Sequence, residues 1–182
     1  LAVAALALRL FRLDWMPLDA GEAAVALPAW QAAHHVAGSV PSGSALLFQL
    51  ERFALWLLPG GTSVARLVPA LAGTLAVALA YRLRPALGRS AALAAATLLA
   101  VSPLWVFFGR NVSGVSLATA AFVALLGAAS SRFARDAVVV PVAAALALAA
   151  GRPTFAACVA LVVWGAWRYA RPGGGGPRLR ED

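Results

Sequence analysis

The sequence predicts an all-α fold, a polytopic bundle of transmembrane helices with interfacial helices in its first outer loop. Long Ala/Leu/Val stretches run through the chain and are interrupted almost only by arginine. Of the residues, 62% are hydrophobic and only 12% are charged, far from the usage of soluble domains. Because these stretches lack the polar face of a water-soluble helix, lipid is the solvent that suits them.

Three arginine clusters predict the orientation of these helices. The formal net charge is +8, and arginine supplies all of the positive side chains because the chain has no lysine. Such a charge also occurs in nucleic-acid-binding proteins, but here the clusters at 82–89, 132–135 and 168–180 lie between or after apolar stretches. Clusters beside short loops mark the cytoplasmic side of a membrane protein. We therefore expect a lipid bilayer, and no nucleic acid, as a partner.

The first part of the predicted membrane domain, which covers 1–170, contains an outer loop. Residues 1–12 match the last turns of a membrane helix, so we expect the chain to be a piece of a larger protein. Residues 14–62 form the loop, because Pro and Gly interrupt them repeatedly. Within it, segments 22–36 and 45–58 are predicted to be helices on the membrane surface.

Whether segment 45–58 crosses the bilayer decides if the whole loop lies on one side of the membrane. It is short, and its middle carries Glu51 and Arg52, whereas a charged residue at the bilayer centre costs roughly 3 kcal/mol. We therefore expect it to lie on the membrane with this charged pair on a solvated face. Its predicted interface anchors are Phe48, Phe53 and Trp56.

Five complete spans are predicted after this loop. They cover residues 63–83, 89–108, 115–131, 137–150 and 154–169. The Gly-rich residues 171–182 are expected to form a flexible cytoplasmic tail. With this topology the few ionisable residues outside the arginine clusters gather on the non-cytoplasmic side. No Gly-rich phosphate loop, CxxC pair, HExxH or nucleophile elbow is present, which argues against nucleotide, zinc-protease and serine-hydrolase chemistry.

The order of segments resembles the polytopic GT-C glycosyltransferases, of the protein O-mannosyltransferase and aminoarabinose-transferase type (family 39). The matching segments are PLDAGEA at 17–23, ARLVPALAG at 65–73, SPLWVFFGR at 102–110 and the basic turn GRP at 151–153. The match covers nearly the whole chain in the right order. On this resemblance the chain is the N-terminal half of such a transferase.

The resemblance implies sugar transfer from a polyprenyl-phosphate carrier to a protein, lipid or glycan acceptor, at the outer face of a bacterial plasma membrane. In this mechanism a carboxylate deprotonates the acceptor hydroxyl, and cationic groups neutralise the leaving phosphate. The candidate catalytic residues are Glu22 and Asp19. The candidate ligands of the lipid phosphate are Arg110, Arg152 and Arg66.

Two departures from the family pattern keep an alternative function open. The acidic pair of the first loop becomes Gly21-Glu22, and the second acidic position falls at Val115. The second position is associated with metal or substrate in the family, so a divalent cation stays open as a cofactor and no metal ligand is assigned. The alternative is a non-catalytic scaffold or flippase-associated protein that lost these carboxylates.

Each candidate residue also has a structural explanation. Acidic residues such as Asp19 and Glu22 favour any helix start, where they complement the positive end of the dipole. Arginines at helix ends, such as Arg110 and Arg152, commonly extend to lipid headgroups. Adjacent histidines on a helix point about 100° apart, so the pair at 34–35 is predicted not to share a metal ion.

Overall fold

A computed structural model describes residues 1–36, 40 and 44–130, and every regular element in them is α-helical. The helices are α1 Ala2–Leu10, α2 Ala20–Ala33, α3 Ala45–Leu57, α4 Thr62–Arg82, α5 Arg84–Leu87, α6 Arg89–Val101, α7 Pro103–Arg110 and α8 Gly114–Ser130. The predicted all-α class is confirmed for this part of the chain. The spans predicted at 137–150 and 154–169, the tail at 171–182 and Arg152 lie outside the described residues.

Helix α4 is the centre of the fold. It packs against α1, α3, α6, α7 and α8. The buried residues of α4 are mostly alanine and glycine, so neighbouring helix backbones can approach it closely. The main core cluster consists of Ala5, Val77, Ala80, Leu83, Ala96, Ala100 and Val123. Helices α2 and α3, which come from the predicted outer loop, pack against each other beside this bundle.

Helix α4 is also long and apolar enough to cross a membrane. Its 21 residues extend about 31 Å at 1.5 Å per residue, which matches a hydrocarbon core of roughly 30 Å. Helices α6 and α7 are together long and apolar enough to cross a membrane, as a pair bent by 57°. The described part of the chain therefore contains one candidate span, or two if the bent pair is a single span.

The sequence predicted a single helix over 89–108, whereas the structure has two helices, α6 and α7, with a bend between them. The break lies at Ser102, which has φ −56° and ψ 125°. Proline disfavours helical backbone in the residue before it and has no N–H to donate to the preceding turn. Pro103 therefore ends α6 and begins α7.

Candidate functional site

A cavity of about 670 Å³ lies where the chain leaves α1 and where α2, α4 and α7 come together. Its lining residues are Phe11, Arg12, Trp15, Met16, Pro17, Asp19, Glu22, Arg66, Pro103, Val106, Phe107, Arg110 and Asn111. Four of the five predicted site residues are in this set, although they come from three distant parts of the sequence. The fifth, Arg152, is not among the residues that the structure describes.

Glu22 and Arg66 form a buried ion pair at one end of this cavity. Arg66 Nε donates to Glu22 Oε1 over 3.0 Å, and Arg66 Nη2 donates to Glu22 Oε2 over 2.5 Å. The two side chains are 4% and 10% exposed, for Glu22 and Arg66 respectively. This two-point geometry joins the first turn of α2 to the first turns of α4.

The other N–H groups of Arg66 bind the loop between α1 and α2. Nη1 donates to the carbonyls of Leu13 and Met16 over 2.9 and 2.8 Å, and Nη2 donates to the carbonyl of Pro17 over 3.2 Å. Together with the two bonds to Glu22, all five N–H groups of the guanidinium are used. Arg66 was predicted to bind the lipid phosphate, but it could donate to a phosphate only by giving up one of these bonds.

The carboxylate of Glu22 is saturated in the same way. Besides Arg66, it accepts hydrogen bonds from the backbone N–H of Val112 over 2.9 Å and of Asp19 over 3.2 Å. Burial favours the neutral acid, but the bonds from Arg66 and the two backbone groups outweigh it, so the pKa of Glu22 lies below its usual value. A carboxylate with four donors and a lowered pKa is a poor proton acceptor.

Asp19 presents the more accessible carboxylate. Its Oδ1 accepts from the N–H of Glu22 over 2.7 Å, which completes a capping box at the start of α2. The side chain is exposed, and within the described residues its Oδ2 has no hydrogen-bond partner. Asp19 thus serves as the N-cap with one oxygen and leaves the other open to a ligand.

Two cationic groups remain for a ligand in this cavity. Half-buried Arg110, at the end of α7, uses Nη2 to donate to the carbonyl of Arg12 over 3.1 Å. The guanidinium of Arg12 lies 4.4 Å from the ring centre of Trp15. Arg12 also has a positive φ of 50°, which is uncommon for a residue other than glycine. The candidate residues inferred from sequence did not include Arg12; its place just after an apolar helix was the available signal.

No family model, curated protein or solved structure matches this chain. The resemblance to GT-C glycosyltransferases therefore stays a prediction from the sequence segments. Gly21 is the first position at which the sequence departs from the family pattern. A Cβ there would lie 3.2 Å from Asp19 Oδ1, so a larger residue would crowd the N-cap of α2.

Metal ligands do not cluster in the described part of the chain. No group of three or more His, Cys, Asp or Glu residues occurs there that could hold an ion. Of the adjacent histidines, His34 stacks on Trp30 with ring centres 4.5 Å apart, and His35 lies in a different groove, beside Arg52.

Glu51 is buried, so the prediction that it lies on a solvated face is wrong. The side chain is completely buried, and neither oxygen has a hydrogen-bond partner among the residues described. It follows Phe48 by three residues and precedes Leu55 by four, so it lies on the same face of α3 as these buried side chains. Burial raises its pKa to about 8. Phe48 is also buried, so it packs inside the protein instead of anchoring α3 at the interface.

Proposed function

We propose that this chain is part of a polytopic membrane glycosyltransferase of the GT-C type, whose cavity binds a polyprenyl-phosphate sugar at the outer face. The observation that carries the proposal is the charge arrangement of the cavity. Glu22 and Arg66 neutralise each other, so Arg12 and Arg110 are left to face the single carboxylate of Asp19. The cavity therefore has an excess of positive charge that could bind a phosphate, and one carboxylate that could accept a proton.

The apolar part of the cavity suits an isoprenoid chain. Phe11, Trp15 and Met16 line it from the α1–α2 loop, and each of these side chains is more than half exposed. An exposed apolar lining next to two guanidiniums matches a ligand with a hydrocarbon tail and an anionic head. The same lining would be costly in water, which supports a lipid environment.

Further apolar surface supports several membrane crossings. Large apolar side chains are exposed along α4, α6 and α7, the helices that are long and apolar enough to be membrane spans. They include Leu71, Leu75, Leu93, Leu98, Val101, Leu104 and Phe107. In a bilayer this surface would contact lipid tails, and α3, with only 13 residues, would lie along the interface with Phe53 and Trp56 exposed.

The reaction that fits these groups is an inverting transfer. The acceptor hydroxyl gives its proton to Asp19 while its oxygen forms a bond to the anomeric carbon. The bond between that carbon and the phosphate oxygen breaks, and the electron pair leaves with the polyprenyl phosphate. Arg110 and Arg12 neutralise the charge that develops on this leaving group. Glu22 and Arg66 fix the loop that carries Asp19.

The test is binding of a polyprenyl phosphate to the full chain in lipid nanodiscs, with the uncharged polyprenol as the control ligand. Arg110→Gln should weaken binding about tenfold or more, because hydrogen bonds to charged groups contribute roughly 1.5–3 kcal/mol. Arg52→Gln, which removes an exposed arginine outside the cavity, is the matched control and should not change it. Equal affinities for phosphate and alcohol, or for wild type and Arg110→Gln, would overturn the proposal.

A non-catalytic scaffold is the second candidate, and the saturation of Glu22 favours it. In that case the ion pair with Arg66 would only hold helices together, and the cavity would bind carrier without reacting. The two functions differ in turnover. Carrier binding that depends on Arg110, without sugar transfer to any supplied acceptor, would support the scaffold.

A further inference from the structure

Arg9 is a buried cation outside the set of cavity residues. It lies in α1 and is only 1% exposed. Its Nη1 donates to the carbonyl of Ala5 over 3.1 Å, and its Nη2 donates to the carbonyl of Leu99 in α6 over 2.8 Å. No carboxylate in the described ranges forms an ion pair with it, since the one ion pair found there joins Glu22 and Arg66. A cation buried in this way needs an explanation.

The bond to Leu99 lies at the break between α6 and α7. In a continuous helix the carbonyl of residue 99 would accept a hydrogen bond from the N–H of residue 103. Residue 103 is Pro103, which has no N–H, while the neighbouring bond from Ser102 N to Leu98 O is intact at 2.9 Å. Arg9 therefore supplies, from another helix, the hydrogen bond that proline removes.

Two glycines make room for the Arg9 side chain. A Cβ on Gly73 in α4 would lie 2.8 Å from Arg9 Nε, and a Cβ on Gly109 in α7 would lie 2.7 Å from the same atom. The Gly109 Cα would be only 3.5 Å from that Gly73 Cβ. Arg9 thus passes between α4 and α7, and a Cβ at either glycine would collide with its side chain.

We propose that Arg9 is a positioning residue, which holds α7 at its bend from α6 and so fixes the side of the cavity that α7 provides. That side includes Pro103, Phe107 and Arg110, and Arg110 directly follows the glycine that Arg9 contacts. The effect on the bend rests on the hydrogen bond from Arg9 to Leu99 and on the two glycines, and does not depend on the proposed function. The effect on carrier binding rests on the proposed function.

The experiment measures the bend directly, in the full chain in nanodiscs. Spin labels attached in Leu93→Cys of α6 and Leu104→Cys of α7, positions that are 38% and 59% exposed, report the distance between the two helices. The single native cysteine is removed by Cys158→Ser so that only these two positions are labelled. Arg9→Met should shift and broaden this distance distribution, because the carbonyl of Leu99 loses its donor. Arg9→Lys, which keeps a charged donor group, should restore the distribution in part.

Polyprenyl-phosphate affinity is measured in the same samples. Arg9→Met should lower it about tenfold, because charge-assisted hydrogen bonds from Arg110 depend on its position. If wild type does not bind the carrier, the proposed function fails, while the spin-label distances still test the bend. An unchanged distance distribution in Arg9→Met would overturn the role of Arg9 in the bend; an altered distribution with unchanged affinity would overturn its role in positioning Arg110.

A second variant keeps the test decisive if Arg9→Met does not fold. Gly73→Ala leaves Arg9 in place but adds a Cβ 2.8 Å from its Nε, at a position of α4 that does not line the cavity. It should displace the Arg9 side chain and shift the distance between the labels. Thr74→Ala, at the next residue, is its matched control because, within the described residues, the Thr74 hydroxyl bonds only inside α4, to the carbonyl of Ala70. Equal label distances in the glycine variant and wild type would contradict the proposal.

Discussion

Arg66 binds Glu22 through two hydrogen bonds, of 3.0 and 2.5 Å, at the point where α2 and α4 begin. The same guanidinium binds three carbonyls of the loop between α1 and α2, and the same carboxylate accepts from the N–H of Val112. One ion pair therefore connects four segments of the chain. Its position beside the cavity means that it organises the candidate site whether or not it takes part in chemistry.

Removing Arg66 should destabilise the protein strongly. In Arg66→Met the carboxylate of Glu22 stays buried without its partner, and breaking such a pair costs about 3–5 kcal/mol. The double variant with Glu22→Met should recover most of this loss, because both charges are then gone. The free energy of unfolding of the full chain in detergent is measured for Arg66→Met, for Glu22→Met and for the double variant. Losses that simply add in the double variant would show that the two residues are not coupled.

The ion pair should also make stability depend on acid. The pKa of Glu22 is lowered in the folded state from its usual 4.5, so its contribution is fully present above pH 4.5 and is lost as pH falls through the lower folded value. The unfolding free energy of wild type should therefore fall as the pH is lowered below 4.5. In Glu22→Gln this part of the dependence should disappear. A Glu22→Gln protein with the same acid sensitivity as wild type would contradict the assignment.

Glu51 should produce the opposite dependence in a separate pH range. Its pKa is raised to about 8, so the folded state holds a proton that the unfolded state releases above about 4.5. Stability should fall as pH rises between these values, by up to about 1.4 kcal/mol per pH unit. Glu51→Gln should remove this slope, whereas Asp14→Asn, at an exposed acid, should leave it. A slope that persists in Glu51→Gln would mean that another group binds the proton.

The sequence predicted local features better than long-range contacts. The apolar stretch that forms α4 and the acidic residues that start α2 were readable because composition and capping act over a few residues. The burial of Glu51 was missed, although its spacing from Phe48 and Leu55 was the signal, because the charge of the neighbouring Arg52 suggested a solvated face.

The candidate site was predicted in part, for a similar reason. The sequence named Asp19 and Arg110 but could not tell a carboxylate with a free oxygen from one that is saturated, as Glu22 is. That distinction depends on Arg66, which is 44 residues away from Glu22. The role of Arg9 at the bend depends on Leu99, a separation of 90 residues. Contacts of this range follow from packing and not from any local pattern.

Asp19→Asn separates the two roles assigned to Asp19. Asparagine is as good an N-cap as aspartate, so the start of α2 should be unchanged, whereas Asp19→Ala should lose about 1 kcal/mol of stability. If Asp19 accepts the proton of the acceptor, Asp19→Asn should lower sugar transfer about 100-fold or more, because a positioned general base contributes roughly 10²–10⁴. Carrier affinity should stay close to wild type, since the amide does not remove a phosphate ligand. Transfer at the wild-type rate in Asp19→Asn would exclude Asp19 as the base, and with Glu22 saturated by its four donors, the scaffold function would then be the better account.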